Sequence, residues 1–196
     1  LEMVLRERLR PGDTVLVGGK LPEGIAADDL AALCERIHSL GAEVTLDTAA
    51  VRLAQVERIR PLVIKPNRLE LGEITGLPTG DLSQCVEAAR LLHQHGAQRV
   101  LVSLDRDGAF LLDQEGLLLA QAPEVEVRSP VGAGDAMLAW FTAALLAGCT
   151  REEALCRAVA AGSAACLHYG THAPSREEVE ALLPQVRAVP AGHPLG

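Results

Sequence analysis

The sequence predicts an α/β protein with a mainly parallel sheet flanked by helices on both faces. Short apolar runs bounded by Gly, Pro and Asp recur along the chain, and stretches with helical spacing of apolar residues separate them. Several of these runs end in loops of small and polar residues, which is where parallel sheets hold ligands. Right-handed crossovers would set the strand C-terminal ends along one edge, bringing residues 18–24, Asp47, residues 65–70, residues 103–108 and residues 129–135 together.

Taken in order, residues 1–9 carry Leu1, Val4, Leu5 and Leu9 at helical spacing, and Pro11-Gly12 ends them. Residues 14–18 (TVLVG) read as a buried strand, followed by a loop over 18–24 that holds Lys20. An amphipathic helix is expected over 26–40, closed by Gly41, and a second strand over 43–47 ends in Asp47. A short helix over 51–58 precedes a third strand, 61–64, which delivers Lys65-Pro66-Asn67-Arg68-Leu69-Glu70. A helix over 81–95 stops at Gly96, and residues 98–103 form a fourth buried strand. After a turn over 104–108, residues 109–112 and 116–120 read as a hairpin around Asp113-Gln114-Glu115-Gly116. Residues 125–128 lead into Ser129-Pro130-Val131-Gly132-Ala133-Gly134-Asp135; helices over 133–146 and 151–168 and a helical piece over 175–183 come after it. The tail, 190–196, has little to order it.

The 196 residues suit one domain, here 1–189, with 48% hydrophobic residues to build its core. Eighteen basic against 26 acidic residues give a net charge of -8, spread along the chain, which argues against a nucleic-acid surface. The apolar run 136–146 is too short to span a bilayer, so no membrane partner is expected. Five cysteines, an odd number without a C-x-x-C pair, read as buried thiols of a reducing compartment and place the protein in the cytoplasm. Cys149 and Cys156, seven apart, read as core packing. The chain opens on Leu1, inside an apolar-periodic stretch, which reads as a fragment.

Two motifs carry chemistry. The loop of small residues 129–134 running into a helix aims unpaired N–H groups at one point, a site for an anion such as phosphate. Asp135 stands in the first turn of that helix, where a carboxylate beside a phosphate cradle reads as phosphoryl transfer. The same pattern also fits a helix-dipole partner and tight strand–helix packing. Asn67 and Glu70, three apart, offer hard oxygen ligands of the kind Mg2+ prefers; they equally fit a cap and capping box.

Together these segments resemble the PfkB, or ribokinase-like, carbohydrate kinases, in particular the 1-phosphofructokinase and tagatose-6-phosphate kinase branch. The resemblance rests on Val131-Gly132-Ala133-Gly134-Asp135, Lys65-Pro66-Asn67-Arg68-Leu69-Glu70, Leu21-Pro22-x-Gly24, Leu46-Asp47-Thr48 and Ser103-Leu104 with Gly108, all in the family's order. It implies a three-layer, Rossmann-like fold whose N-terminal part and lid are missing here. It also implies ATP-dependent phosphorylation of a hydroxyl of a sugar phosphate of the fructose 1-phosphate or tagatose 6-phosphate type. Asp135 would be the catalytic base, with the N–H groups of Gly132, Ala133 and Gly134 as the anion hole. Asn67 and Glu70 would order Mg2+ and the nucleotide phosphates. Ser103, Gly108, Gly162 and Gly170 would lie near ATP, the adenine falling between the loop from Gly116 onward and helix 151–168. Gly19-Lys20 stands where the branch usually reads Gly-Ser; Lys20 there fits a contact to the substrate phosphate and equally a solvated loop lysine. A homodimer is one assembly the resemblance leaves open. Asp105 stands where the family usually has glycine, Ala136 where it has serine, and Trp140 where it has a small residue. These departures leave a second reading, a nucleotide-binding fragment or regulatory remnant with impaired catalysis.

Overall fold

The computed structural model describes residues 2–191, and these fall into two compact units, 1–100 and 101–196. Leu1 and residues 192–196 of the expected tail lie outside the described residues.

The first unit opens with α1 (Glu2–Arg8) and β1 (Thr14–Gly18). The helix α2 (Ala27–Ser39) comes next; it buries Leu30, Ala31, Cys34 and Ile37, one face at the i, i+1, i+4, i+7 spacing. Its end is set by Gly41, whose φ of +80° is left-handed and whose N–H donates to the His38 carbonyl at 2.9 Å. β2 (Glu43–Asp47), α3 (Leu53–Ile59), β3 (Val63–Ile64), α4 (Arg68–Thr75), α5 (Leu82–Gln94) and β4 (Arg99–Ser103) complete the alternation. Pairing is parallel throughout: β1 runs beside β2 with Thr14 opposite Glu43 and Gly18 opposite Asp47, β2 beside β3, and β3 beside β4 through Ile64 and Val100. The alternation of strands with helices therefore yields the parallel frame expected of it.

Two strands depart from expectation. β1 is only half-buried, and Leu16 is 47% exposed, because in this unit β1 has one strand neighbour, β2. β3 is two residues long, since Pro61 cannot donate to a ladder and Leu62 bonds instead through its N–H to the Val44 carbonyl at 2.8 Å.

The second unit, from residue 101 onward, is antiparallel where the first is parallel. β5 (Ala109–Asp113) and β6 (Gly116–Ala120) form the expected hairpin, paired from Ala109–Ala120 to Asp113–Gly116. β7 (Ala188–Pro190) adds a third strand beside β6, with Leu118 opposite Pro190. Pro190, expected to begin an unordered tail, thus ends a strand, and the Ala191 N–H donates to the Leu117 carbonyl at 3.1 Å. Three helices accompany these strands: α6 (Ala133–Leu146), α7 (Arg151–Ala165) and α8 (Arg176–Leu182). α7 packs on α6, on α8 and on all three strands, and ten of its residues, Ala154 to Ala165 among them, are buried. It stops at Ala165, three residues before the expected end, where the Cys166 carbonyl turns to accept backbone donors from residues 128 and 129. Cys149 precedes α7, so Cys149 and Cys156 do not share a helix face. Cys34 and Cys85 are buried, and burial pushes the Cys34 thiol up to about 11.

At the C-terminal ends of the parallel strands, Lys65 is 3% exposed and its Nζ lies 3.2 Å from Asp47 Oδ1. A buried charge that loses its partner keeps its desolvation cost. Lys65→Met is therefore expected to lower the unfolding free energy by about 3–5 kcal/mol in denaturant titration. Lys20→Met, on an exposed loop lysine, should stay within about 0.5 kcal/mol of the parent.

Candidate active site

The loop before α6 is held from both ends. The N–H groups of Arg128 and Ser129 both donate to the Cys166 carbonyl, at 2.8 and 3.4 Å. Ser129 Oγ accepts from the Val131 N–H at 3.3 Å, and the Pro130 carbonyl accepts from the Ala133 N–H at 3.2 Å. Gly132 then turns left-handed (φ 87°, ψ −6°) as the residue before the helix. A Cβ there would be strained and would meet Thr171 Cγ2 at 3.1 Å, so Gly132 is required both by its φ and by close approach. Its carbonyl starts the helical ladder by accepting from the Ala136 N–H at 2.9 Å.

The consequence is a helix start with open donors. Among the described residues the N–H groups of Gly132, Gly134 and Asp135 meet no protein acceptor, whereas the Ala133 N–H is taken by Pro130. Asp135 sits in the first turn of α6 and is exposed, so its carboxylate is reachable from solvent beside those donors. Gly162 and Gly170 occupy different levels of this site. Gly162 is buried in the contact of α7 with α6, where a Cβ would lie 3.2 Å from Met137 Cε and 3.4 Å from the Ala133 carbonyl. Gly170 is exposed and left-handed (φ 72°), and it precedes the Thr171 that backs Gly132.

In the first unit the strand ends converge as their order requires. The Gly19 N–H donates to the Asp47 carbonyl at 3.0 Å, and Thr48 Oγ1 donates to the Gly19 carbonyl at 2.7 Å. The Lys65 N–H donates to the Leu46 carbonyl at 2.8 Å, and its side chain reaches Asp47. Lys20, next to Gly19, is exposed. One turn on, Asn67 and Glu70 form a reciprocal capping box at the start of α4: Asn67 Oδ1 accepts from the Glu70 N–H at 2.9 Å, and Glu70 Oε2 accepts from the Asn67 N–H at 2.8 Å. The pair is brought together, and both side chains are partly open to solvent.

Ser103 ends β4, and a single 3₁₀ turn, Asp105–Asp107, comes directly after it. Asp105 has a φ of +53°, a conformation that costs glycine little and that Asp tolerates better than most residues. That explains how Asp fits at a position where the resembling family usually has glycine. Gly108 (φ 95°, ψ −127°) is buried against the far end of the hairpin; a Cβ there would collide with the Ala120 carbonyl and lie 2.7 Å from the Ala122 nitrogen. The hairpin tip is tied to α7 by Arg151, which lies 3.0 Å from Asp113 Oδ1 and donates to the Gly116 carbonyl at 2.7 Å. Both side chains are nearly buried, at 11% and 5% exposure, so the stretch from Gly116 and the start of α7 are mutually fixed.

Sequence reasoning misses Lys65 as the partner of Asp47 and Arg151 as the partner of Asp113. A signal exists for each: Lys65 closes an apolar run one strand from Asp47, and Asp113 closes another.

The first unit has a parallel α/β frame with polar strand ends, and the second has a helix that starts on a left-handed glycine with an exposed first-turn carboxylate; the class is that of an α/β protein. The particular family is shown by comparison. The chain belongs to the pfkB family carbohydrate kinases, whose family model matches residues 1–178. It is 32% identical over 181 residues to a 1-phosphofructokinase of Bacillus subtilis, covering 92% of this chain and 59% of that protein. It is 34% identical to a D-tagatose-1-phosphate kinase of Klebsiella oxytoca, over 91% of this chain and 58% of the relative. The crystal structure of phosphofructokinase-2 from Escherichia coli in complex with substrates and products superposes with a TM-score of 0.84 at 28% identity, over 94% of this chain and 60% of that one. The expected ribokinase-like fold class is thereby borne out, and the chain spans less than two thirds of the length of these relatives.

Gly108 offers a test of this geometry. Gly108→Ala is expected to destabilise the second unit by more than about 2 kcal/mol, read as a lowered midpoint of thermal unfolding. Asp105→Gly is expected to leave that midpoint within a few degrees of the parent.

Proposed function

We propose that the chain is the nucleotide- and base-bearing portion of an ATP-dependent kinase that phosphorylates a hydroxyl of a sugar phosphate of the fructose 1-phosphate or tagatose 6-phosphate type. The observation that carries the reading is the start of α6. There an exposed Asp135 stands beside the unengaged N–H groups of Gly132 and Gly134. In this role Asp135 accepts the proton of the acceptor hydroxyl as that oxygen attacks, with the hydroxyl held within hydrogen-bond reach. The N–H groups at Gly132 and Gly134 stabilise the charge on the transferred phosphoryl group. Ala133 contributes less than expected to such a hole, because its N–H is already turned to Pro130.

Asn67 and Glu70 fit a hard divalent cation in donor chemistry, and each keeps polar capacity beyond its single capping bond. When bound, Mg2+ supplies charge neutralisation at the nucleotide phosphates. Asn67 and Glu70 orient this end of α4 through their reciprocal bonds, so the cap holds the carboxylate in one place. Ser103, Gly108 and Gly170 fall to the nucleotide in this reading, with Gly162 beneath α6 as packing support. Lys20, exposed on the loop after β1, provides the charge for the substrate phosphate. The two units act in a single kinase domain over 1–189, in a cytoplasmic protein. A homodimer is the assembly to test.

Asp105, Ala136 and Trp140, the departures from the family pattern, favour one further reading, a portion that binds nucleotide without turning over. Calorimetry with Mg-ATP and a coupled kinase assay on one sample separate the two: binding with sugar-phosphate-dependent turnover supports the kinase, and binding without turnover supports the alternative. In protein that turns over, Asp135→Asn is expected to lower kcat about 10²–10⁴-fold with ATP affinity little changed; near-normal kcat would remove Asp135 from the base role. Glu70→Gln keeps an acceptor for the Asn67 N–H and so preserves the cap, yet it removes the charge. It is expected to raise the Mg2+ concentration needed for half-maximal rate while leaving the unfolding midpoint within a few degrees, and an unchanged Mg2+ dependence would reduce Glu70 to a cap.

A further inference from the structure

Beyond α7 the chain turns back through Tyr169-Gly170-Thr171 and gathers three metal-ligating side chains, which the kinase reading does not use. His168 Nε2 lies 2.5 Å from Glu178 Oε1, and His172 Nε2 lies 3.7 Å from Glu178 Oε2. The two imidazoles face each other with centroids 3.8 Å apart, tilted by 34°. One ligand atom from each of the three residues can be chosen so that all lie within 4.8 Å of one another.

We propose that His168, His172 and Glu178 form a binding site for a borderline-soft divalent metal ion of the Zn2+ type. Two imidazole nitrogens and a carboxylate are a donor set that Zn2+ takes with three protein ligands and one open position. Bonds of about 2.0–2.2 Å in a tetrahedral arrangement place donor atoms roughly 3.3–3.5 Å apart, so the His168–Glu178 pair has to open by about 1 Å while donors spread over up to 4.8 Å close toward the same spacing. That adjustment lies within side-chain rotation on an open surface.

Glu178 is prepared for the role. Its Oε2 accepts from the Ser175 N–H at 2.7 Å, which orients the carboxylate as an outer partner orients a metal ligand. Among the described residues no cysteine joins a group of three potential ligands. The left-handed Gly170 lets the chain reverse between the two histidines, and Thr171 in that turn backs Gly132. An ion held here would therefore fix the segment that supports the glycine turn before α6.

The test is calorimetric titration of the metal-free 196-residue chain with ZnCl2, paired with the visible spectrum of the Co2+ form. The expected result is one saturable equivalent, with d–d bands and no thiolate charge-transfer absorption. His172→Gln removes a side chain that is 42% exposed and so spares the fold; it is expected to weaken binding at least about tenfold, as is Glu178→Gln, while Cys166→Ser leaves affinity unchanged. Absence of a saturable equivalent, a thiolate-type cobalt spectrum, or undiminished affinity in both His172→Gln and Glu178→Gln would overturn the assignment.

Discussion

The buried pair of Lys65 with Asp47 is the constraint on which the first unit's loops depend. A lysine 3% exposed carries a desolvation cost that a nearby carboxylate offsets, and parallel pairing supplies one by setting the end of β2 beside the end of β3. The pairing register and the ion pair therefore specify each other: slipping β3 by one residue would reverse its faces and carry Lys65 away from Asp47. Asp47 also receives the Gly19 N–H on its carbonyl, and Thr48 reaches back to the Gly19 carbonyl. Three successive strand ends are thus joined at one polar centre, and the loops that would meet a ligand leave from it.

The second unit relies on backbone conformation where the first relies on charge. Gly108 and Gly132 each adopt a positive φ; at Gly108 backbone atoms leave no room for a Cβ, and at Gly132 the Thr171 methyl would crowd one. Each couples a loop to a piece of chain distant in sequence, residues 120–122 in one case and Thr171 in the other. The helix start at residue 133 is accordingly placed by packing against Thr171, beyond the end of α7, and by the Cys166 carbonyl that receives residues 128 and 129. Gly132, the residue before the helix, offers no side-chain cap, and the first-turn N–H groups of Gly134 and Asp135 are left without a protein acceptor among the described residues.

Much of this is legible in sequence because local signals and long-range packing agree. The span 133–146 is readable to the residue, and the hairpin of 109–113 with 116–120 to within one, since Gly and Asp mark their ends. Failures come from context that periodicity does not carry. β1 has the composition of a buried strand, yet it has a single strand neighbour in its unit and stays half-exposed. β7 is three residues of which the last, Pro190, reads as the start of a tail, and it is a strand because the edge of β6 accepts it. The pairs of Lys65 with Asp47 and of Arg151 with Asp113 join residues 18 or more apart in sequence, so no local window contains both partners.

Asn67 and Glu70 show why a motif can be read correctly and still leave two meanings. Spacing of three brings an amide and a carboxylate to the first turn of a helix, and that geometry serves capping first: both bonds form from the chain alone. A carboxylate oxygen has more than one lone pair, so a backbone bond does not consume its capacity for a cation. The cap instead removes the rotational freedom that a cation would otherwise have to suppress on binding. Structural and chemical readings of N-x-x-E are then compatible in one arrangement, and only a substitution that keeps the acceptor while deleting the charge tells them apart.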